Sequence, residues 1–426
     1  MISIQNKKKL LLDTYNLLDQ KHLSKFIYLL FMLIIASILE IMGISLIPIL
    51  ITLLLDPKLI IEKLSFLFKF FNFYQLENLD KKTLTLYFSL FIIVFYILKN
   101  LFLVSVVYMQ GKFHRTIKTT LSNKIFSNYL SADYSFFLSR NSSITIRTVT
   151  VDVGNTSLYI LNIINLLRES LILVSIVTLL LIIDFRIAVV ISIFFCTFTY
   201  LFYSITQKQL YQRALKLQIL SSYLLKTITE TIGSIKQIIL SNVGDSQLKE
   251  FKECIIQNER MVIKNYFVQL LPRFFLEVLI VSALILIVLI FVLLDREMMG
   301  LVPFLTLITI SALRLLPAFS SISSAISTLK TTLPSLKHLI KENKFLKKKV
   351  QNKNKIKIKF NKEIELKNIN FSYPKTTKKI LNNFSINIKK GDKIGIIGES
   401  GTGKTTLLNI ILGLMQPISG DFLVDN

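Results

Sequence analysis

Residues Gly398, Glu399, Ser400, Gly401, Thr402, Gly403, Lys404 and Thr405 fit the spacing GxxxxGK[ST], a pattern able to hold phosphate. The glycines let the backbone bend so that its N–H groups converge on phosphate oxygens. Lys404 reaches the outer phosphates, and the Thr405 hydroxyl is a ligand for Mg2+, with Thr406 one residue further into the helix. Such a loop needs a strand before it and a helix after it. "KIGII" (393–397) reads as a short buried strand, and "TTLLNIILGL" (405–414) as a helix with one apolar face that ends at Gly413. Upstream, "EIELKNINFSYP" and "FSINIKKGDKIGIIG" alternate as strands, with "KKGD" as a tight turn.

A second group of candidates interrupts apolar runs. Glu40, Lys99, Glu169, Glu277 and Arg314 lie inside segments long enough to cross a bilayer, where ionisable side chains are costly and mark function by default. Measured from the outer end of each run at ~1.5 Å per residue, all five fall at a depth of ~20 to 25 Å. They are expected to form a polar belt in the inner half of a cavity. Lys99 and Arg314 would attract a pyrophosphate-linked head group, and Glu40 would pair with Lys99. The plainer alternative is ion pairing between helices or snorkelling to the interface, the role also open to Arg168 beside Glu169.

Holding these residues requires a membrane domain. The chain of 426 residues is 52% hydrophobic and 18% charged, with a mean hydropathy of +0.57, which excludes an ordinary soluble protein. Six apolar stretches stand out, at about 26–55, 86–109, 159–183, 186–206, 268–294 and 298–320. The third and fourth are separated by "DFR" (184–186) and the fifth and sixth by "DREMMG" (295–300), whereas the second-to-third and fourth-to-fifth connections are long. The net charge of +25 comes from Lys and Arg flanking the apolar runs, as the positive-inside rule requires, rather than from a basic-aromatic groove for nucleic acid. By that rule the N-terminus, both long connections and the C-terminal polar piece lie in the cytoplasm. The basic lead-in, 1–25, precedes an apolar stretch too long for a cleaved signal peptide. Cys196 sits in an apolar run and Cys254 in a polar one, so neither a disulfide framework nor a zinc site is expected.

The long inner connections are not loop-like. "GKFHRTIKTTLSNKIFSNYL" (111–130) and "QKQLYQRALKLQILSSYLLKTITETIGSIKQIIL" (207–240) have few breakers and space their apolar residues three or four apart, so the membrane helices continue as cytosolic stalks. After the sixth stretch the helix is expected to run to about Glu342, followed by a Lys/Asn-rich linker.

From "FSYP" to "IGIIGESGTGKTTLLNIILGLMQPISGDFLVDN" (394–426), the C-terminal region resembles the start of an ATP-binding cassette, the nucleotide-binding domain of ABC transporters. In that family the aromatic residue matching Tyr373 stacks on adenine. The resemblance therefore implies ATP and Mg2+ as cofactors, held by Tyr373 and by residues 398 to 406, with Thr405 on the metal. The membrane half resembles the exporter branch of the same superfamily, six spans ahead of one cassette. "YSFFLSRNSSITIRTVTVDVGN" (134–155) looks like the segment containing the short coupling helix, and "TITETIGSIKQIILSNVGDSQLKEFKE" (227–253) like its counterpart.

The implied fold is a polytopic α-helical membrane domain of the ABC exporter type, with six transmembrane helices and long cytosolic extensions, followed by a truncated α/β P-loop NTPase domain. The expected division is a lead-in at 1–25, the membrane domain at 26–342, a Lys-rich linker at 343–362 and the first part of the cassette at 363–426. "EIMGISLIPILITLLLDP" (40–57) and "SALRLLPAFSSISSAISTLKTTLPSLKHL" (311–339) look most like flippases of lipid-linked oligosaccharides. That resemblance implies a homodimer in the cytoplasmic membrane, surrounded by membrane lipids and moving a lipid-linked saccharide, with no nucleic-acid partner. Export of drugs or peptides is the alternative, although no N-terminal peptidase domain with a nucleophilic cysteine is visible.

In the family, the glutamine that contacts Mg2+, the Gly-rich signature, the Mg2+-binding Asp, the catalytic Glu and the switch His all follow the point matching Asn426. Gln416, in the "GLMQPISG" turn, is not that glutamine. No catalytic residue is assigned, and this chain by itself is expected neither to hydrolyse ATP nor to transport. Its rival reading is a non-hydrolysing membrane protein or an inactive partner subunit. A membrane-tethered P-loop kinase is disfavoured, because six spans with long stalks serve no kinase purpose.

Overall fold

The computed structural model describes residues 21–55, 81–138, 140–183, 185–293, 301–349, 360–373, 376 and 379–425, together with 13, 14 and 17. The connection at 56–80, Asp184, the "DREMMG" turn, linker residues 350–359 and most of the lead-in lie outside the described residues. Nine helices precede the C-terminal sheet in the described part: α1 (Lys21–Leu55), α2 (Lys81–Leu130), α3 (Tyr134–Leu138), α4 (Ser142–Arg147), α5 (Val153–Ile183), α6 (Phe185–Gly233), α7 (Ile235–Ser241), α8 (Gly244–Leu293) and α9 (Leu301–Lys349). A π-helical turn, Thr148–Asp152, joins α4 to α5.

Among the described residues, five helices are long and apolar enough to cross a membrane, within Leu23–Leu55, Lys82–Leu130, Ser142–Ile182, Gly244–Ser282 and Leu305–Leu346. The fourth expected run, 186–206, falls within the helical backbone of α6, and most of its side chains lie outside the described set. Helices α2, α6, α8 and α9 contain 50, 49, 50 and 49 residues. At ~1.5 Å per residue each is about 75 Å long, against a hydrocarbon core of ~30 Å.

The chain divides into two compact units, one of residues 1–122 and 150–340, the other of 123–149 and 341–426. In the first, Ile44 of α1, Ile172, Ile176 and Leu180 of α5, and Leu307 and Leu315 of α9 form one apolar core. On α5 these residues recur every four positions, so one stripe of the helix is buried. Leu90, Ile97, Leu101 and Val104, at helical spacing on α2, are each more than half exposed. In water, leaving such side chains uncovered forfeits ~1.5 to 3 kcal/mol apiece, so this face suits lipid.

The second unit contains a three-stranded antiparallel sheet, with β1 (Glu363–Phe371) between β2 (Leu381–Lys389) and β3 (Ser419–Val424). Leu366 pairs with Ile386 on one side and with Phe422 on the other. Helix α10 (Lys404–Ile411) lays Leu407 and Ile410, three residues apart, on Leu366, Ile369, Phe371 and Leu381, and Met415 closes the cluster.

Two elements differ from expectation. "KIGII" (393–397) is not a strand; Ile394 and Ile396 are exposed, and Ile397 is 99% exposed. Strand β2 ends at Lys389, the Lys390 N–H donates to Lys362 O, and Gly391, with φ +94°, turns the chain off the sheet. A strand exists only where a neighbour takes its hydrogen bonds, and no described strand lies beside these residues. The second difference is α9, which continues past Glu342 to Lys349. Glu342 and Leu346 are buried at 5% and 0% exposure, so packing one turn apart carries the helix into what reads as a linker.

Candidate functional site

The phosphate loop is shaped by its glycines. Gly401 and Gly403 take φ of +85° and +96°, a region that side chains with a Cβ rarely adopt, and a Cβ on Gly403 would come within 2.7 Å of Ile380 Cγ2. Gly403 caps the N-terminus of α10, and the Leu407 N–H donates to Gly403 O at 2.9 Å. Lys404 Nζ folds back to donate to Gly398 O and Glu399 O, at 2.6 Å each. The ammonium thus lies over the loop at the positive end of α10, where anionic oxygens are favoured. Thr402 Oγ1 donates to Glu399 O at 2.9 Å, while Ser400 and Thr405 are exposed.

Tyr373 stands beside this loop. Its ring meets Phe371 edge-on at 5.3 Å, and its hydroxyl lies 2.9 Å from Thr406 Oγ1. Residues 398 to 406 and Tyr373 therefore form one group of side chains and turns. They fit the phosphates of a nucleotide on two observations of this chain: a loop bent by positive φ at Gly401 and Gly403, and a lysine at a helix N-terminus. Thr405, exposed in the first turn of α10, is the residue there whose hydroxyl would hold Mg2+.

Residues 381–426 match the family described as ABC transporter. Over 310 residues, 72% of this chain, the sequence is 24% identical to an ATP-dependent lipid A-core flippase of Polaromonas sp.. Over most of its length the chain is similar to an ABC exporter. Its C-terminal part is also 48% identical over 62 residues to an energy-coupling factor transporter ATP-binding protein of Mycoplasma mobile, and 45% identical over 64 residues to a nickel import system ATP-binding protein of Staphylococcus aureus. These two segments are 15% of this chain each. The chain spans 52% of the flippase and 23% and 27% of the two ATP-binding proteins.

Of the five candidates within apolar runs, three converge. Lys99 Nζ on α2 lies 3.0 Å from Glu40 Oε2 on α1, and Arg314 Nη2 on α9 lies 2.9 Å from Glu40 Oε1. Two cations against one carboxylate leave one positive charge in this trio. The Lys99 and Glu40 side chains are 8% and 6% exposed and that of Arg314 30%, and buried Arg314 Nε has no hydrogen-bond partner. The other two stand apart. Glu169 pairs with its neighbour Arg168 at 2.6 Å, and Arg168 Nη1 also donates to Gln110 of α2 at 3.1 Å. Glu277 is exposed on α8. Equal depth along a helix does not set direction around it, so the belt of five reduces to a trio, with Glu169 held by Arg168 and Glu277 apart from both.

Several participants carried no signal in the sequence. The Tyr96 ring lies 4.5 Å below Lys99 Nζ, and its hydroxyl donates to Gly43 O at 3.0 Å. Gly43 makes room for the lysine, since a Cβ there would sit 3.1 Å from Nζ. Tyr96 is three residues before Lys99, a helical neighbour that could have been suspected. In the second unit Arg140 grips Glu342 through two nitrogens at 2.5 and 2.8 Å, and the Tyr129 hydroxyl donates to Glu342 Oε1 at 2.8 Å. Arg140 and Glu342 are 202 residues apart, beyond any local pattern.

Proposed function

We propose that the protein carrying this chain is an ATP-driven exporter that flips a lipid-linked oligosaccharide or a related lipid across the cytoplasmic membrane. The observation behind this reading is the glycine-shaped loop with Lys404 and Thr405 at the start of α10, in a chain whose helices are long and apolar enough to span a bilayer. The name of the Polaromonas relative supports a lipid as cargo. The membrane domain comprises 26–342, a linker 343–362, and 363–426 begins the cassette. ATP binds against Tyr373 and residues 398 to 406, with Mg2+ on Thr405, and supplies the phosphoryl-transfer free energy. The chain acts as a homodimer with both termini in the cytoplasm. Within the bilayer, the spare positive charge of Lys99 and Arg314 draws an anionic head group away from water, while the lipid tail stays in the apolar surroundings.

The test is reconstitution of the full gene product in liposomes with a fluorescent pyrophosphate-linked saccharide lipid. ATP-dependent loss of leaflet protection, abolished by Lys404→Ala and reduced at least tenfold by Arg314→Gln, is the expected result. Transport that is unchanged in Lys99→Gln and Arg314→Gln would remove the head-group assignment. ATP-driven efflux of a drug or peptide without lipid movement would replace the cargo.

A further inference from the structure

A groove of about 640 Å³ runs between α1 and α2, on the face that suits lipid. Ile47 of α1 forms one side. The other side is two rows of α2 side chains at i, i+4 spacing, Ile92, Tyr96 and Asn100 in one and Ile93, Ile97 and Leu101 in the next. With Val104 at its far end the groove follows α2 for ~18 Å, a little more than half of the ~30 Å hydrocarbon core. One lining residue is out of place in hydrocarbon. Asn100 is exposed, its side chain makes no hydrogen bond to the described residues, and it lies ~21 Å along the apolar run that starts at 86. An amide at that depth has no water to bond, and it stays costly until a polar group reaches it. Tyr96 belongs to the groove and to the trio alike: its ring is 4.5 Å from Lys99 Nζ, and its hydroxyl donates to Gly43 O. The spare positive charge of Lys99, Glu40 and Arg314 thus lies behind the Tyr96 ring, at the middle of the groove.

We propose that this groove is a mid-membrane lipid seat: one hydrocarbon chain of an anionic, phosphate-headed lipid lies along it, and the phosphate is met at its polar middle by the Asn100 amide and the spare charge of the trio. The inference rests on the reading of the trio as a head-group site, and adds to it the place of the tail and a second polar contact. The rows of Ile and Leu offer only dispersion contact, which a hydrocarbon chain matches along its length. A phosphate supplies what the middle lacks, acceptors for the Asn100 N–H groups and a negative charge against an unbalanced cation. At low dielectric that cation acts strongly on a phosphate with net charge, and weakly on a zwitterionic head group whose charges cancel. A second copy of the chain docked by the same face would bring a second positive trio, like charge against like.

The chain contains no tryptophan, so single reporters can be placed in it. Val104→Trp reports on the groove, and Leu98→Trp, exposed on α2 but outside the groove, reports on the surrounding lipid. The whole chain, residues 1–426, is reconstituted in vesicles of phosphatidylcholine and phosphatidylglycerol, with brominated chains on one lipid or the other. Quenching of Val104→Trp should show phosphatidylglycerol preferred about three- to tenfold, the effect of one unbalanced cation on an anionic lipid, and Leu98→Trp should show no preference. In the Val104→Trp chain, Arg314→Gln leaves the trio neutral and should abolish the preference, while Asn100→Leu, at an exposed position, should lower it at least about twofold. Equal quenching of Val104→Trp by the two lipids, the same preference at Leu98→Trp, or a preference untouched by Asn100→Leu or Arg314→Gln would overturn the seat. The head-group reading then stands if Arg314→Gln still slows transport by the full gene product. Val104→Trp quenched by neither lipid means that a second copy or another segment fills the groove, which overturns the seat as well. A preference and a transport rate both unchanged in Arg314→Gln would overturn the head-group reading and this inference together.

Discussion

Glu40 holds two cations with one carboxylate, and its two oxygens divide the work between Lys99 and Arg314. Removing that carboxylate strands buried positive charge, so Glu40→Gln should destabilise the detergent-solubilised chain by ~3 to 5 kcal/mol. The triple variant Glu40→Leu/Lys99→Leu/Arg314→Leu should recover much of the loss, since a buried ion cluster replaced as a whole by apolar groups is often neutral. Thermal unfolding of the two variants beside the unaltered chain decides it, and a Glu40→Gln midpoint equal to that of the unaltered chain would mean that the trio is hydrated. Asp425 makes a different kind of contact. Its carboxylate accepts from the backbone N–H groups of Asn361, Lys362 and Glu363, tying the end of β3 to the start of β1. Partial desolvation works to raise its pKa, but the three N–H donors and Lys390 outweigh it and hold the group below the usual carboxylate range. The folded pKa lies below the unfolded value of ~3.9, so the contribution is complete above that pH and is lost as pH falls through the folded value. The gap in unfolding midpoint between the unaltered chain and Asp425→Ala should therefore be constant from about pH 5 to 7 and close below about pH 4.

At the scale of elements, the end of α9 depends on one buried acid. Glu342 is gripped by Arg140 and Tyr129, and beside it the Asn128 side chain donates to Asn343 at 3.2 Å while Phe345 packs on Phe136. Arg140→Ala leaves that buried acid without its counter-charge and held by Tyr129 alone, and hydrogen exchange over 343–349 should rise at least tenfold while α5 stays protected. Exchange confined to the frayed last turn in both chains would show that the grip is not what extends the helix. Residues 393–397 offer the converse test. Their amides have no strand partner and should exchange close to the unprotected rate, far faster than those of β1, which is paired on both sides. Sequence pattern made β1, β2 and α10 legible because alternation and i, i+3 spacing are local properties. "KIGII" carries the same apolar signature but is not a strand, because a strand's hydrogen bonds must be met by another segment. The extension of α9 was hidden for the same reason: a run of Lys and Asn reads as linker until Leu346 is seen to be covered.

At the scale of the molecule, two environments divide the chain. Leu101 and Val104 present uncovered apolar side chains on α2, whereas Ile239 and Leu240 are uncovered on α7, between Gly233 and Gly244. In a cysteine-free background, Leu101→Cys should resist an aqueous maleimide in intact membranes, and Leu240→Cys should react in inside-out vesicles only. Reaction of Leu240→Cys from the outside would reverse the proposed orientation. The apolar runs, their basic flanks and the phosphate loop were all readable from the sequence alone, because hydropathy, charge and a glycine-lysine spacing act through composition and local backbone geometry. What only the tertiary structure decided is which charges meet. Lys99 and Arg314 reach Glu40 while Glu169 turns to Arg168 and Glu277 is exposed, and the hydroxyls of Thr406 and Tyr373 meet. Those pairings depend on how each helix is rotated about its axis, and rotation is set by the packing of distant side chains rather than by spacing along one segment.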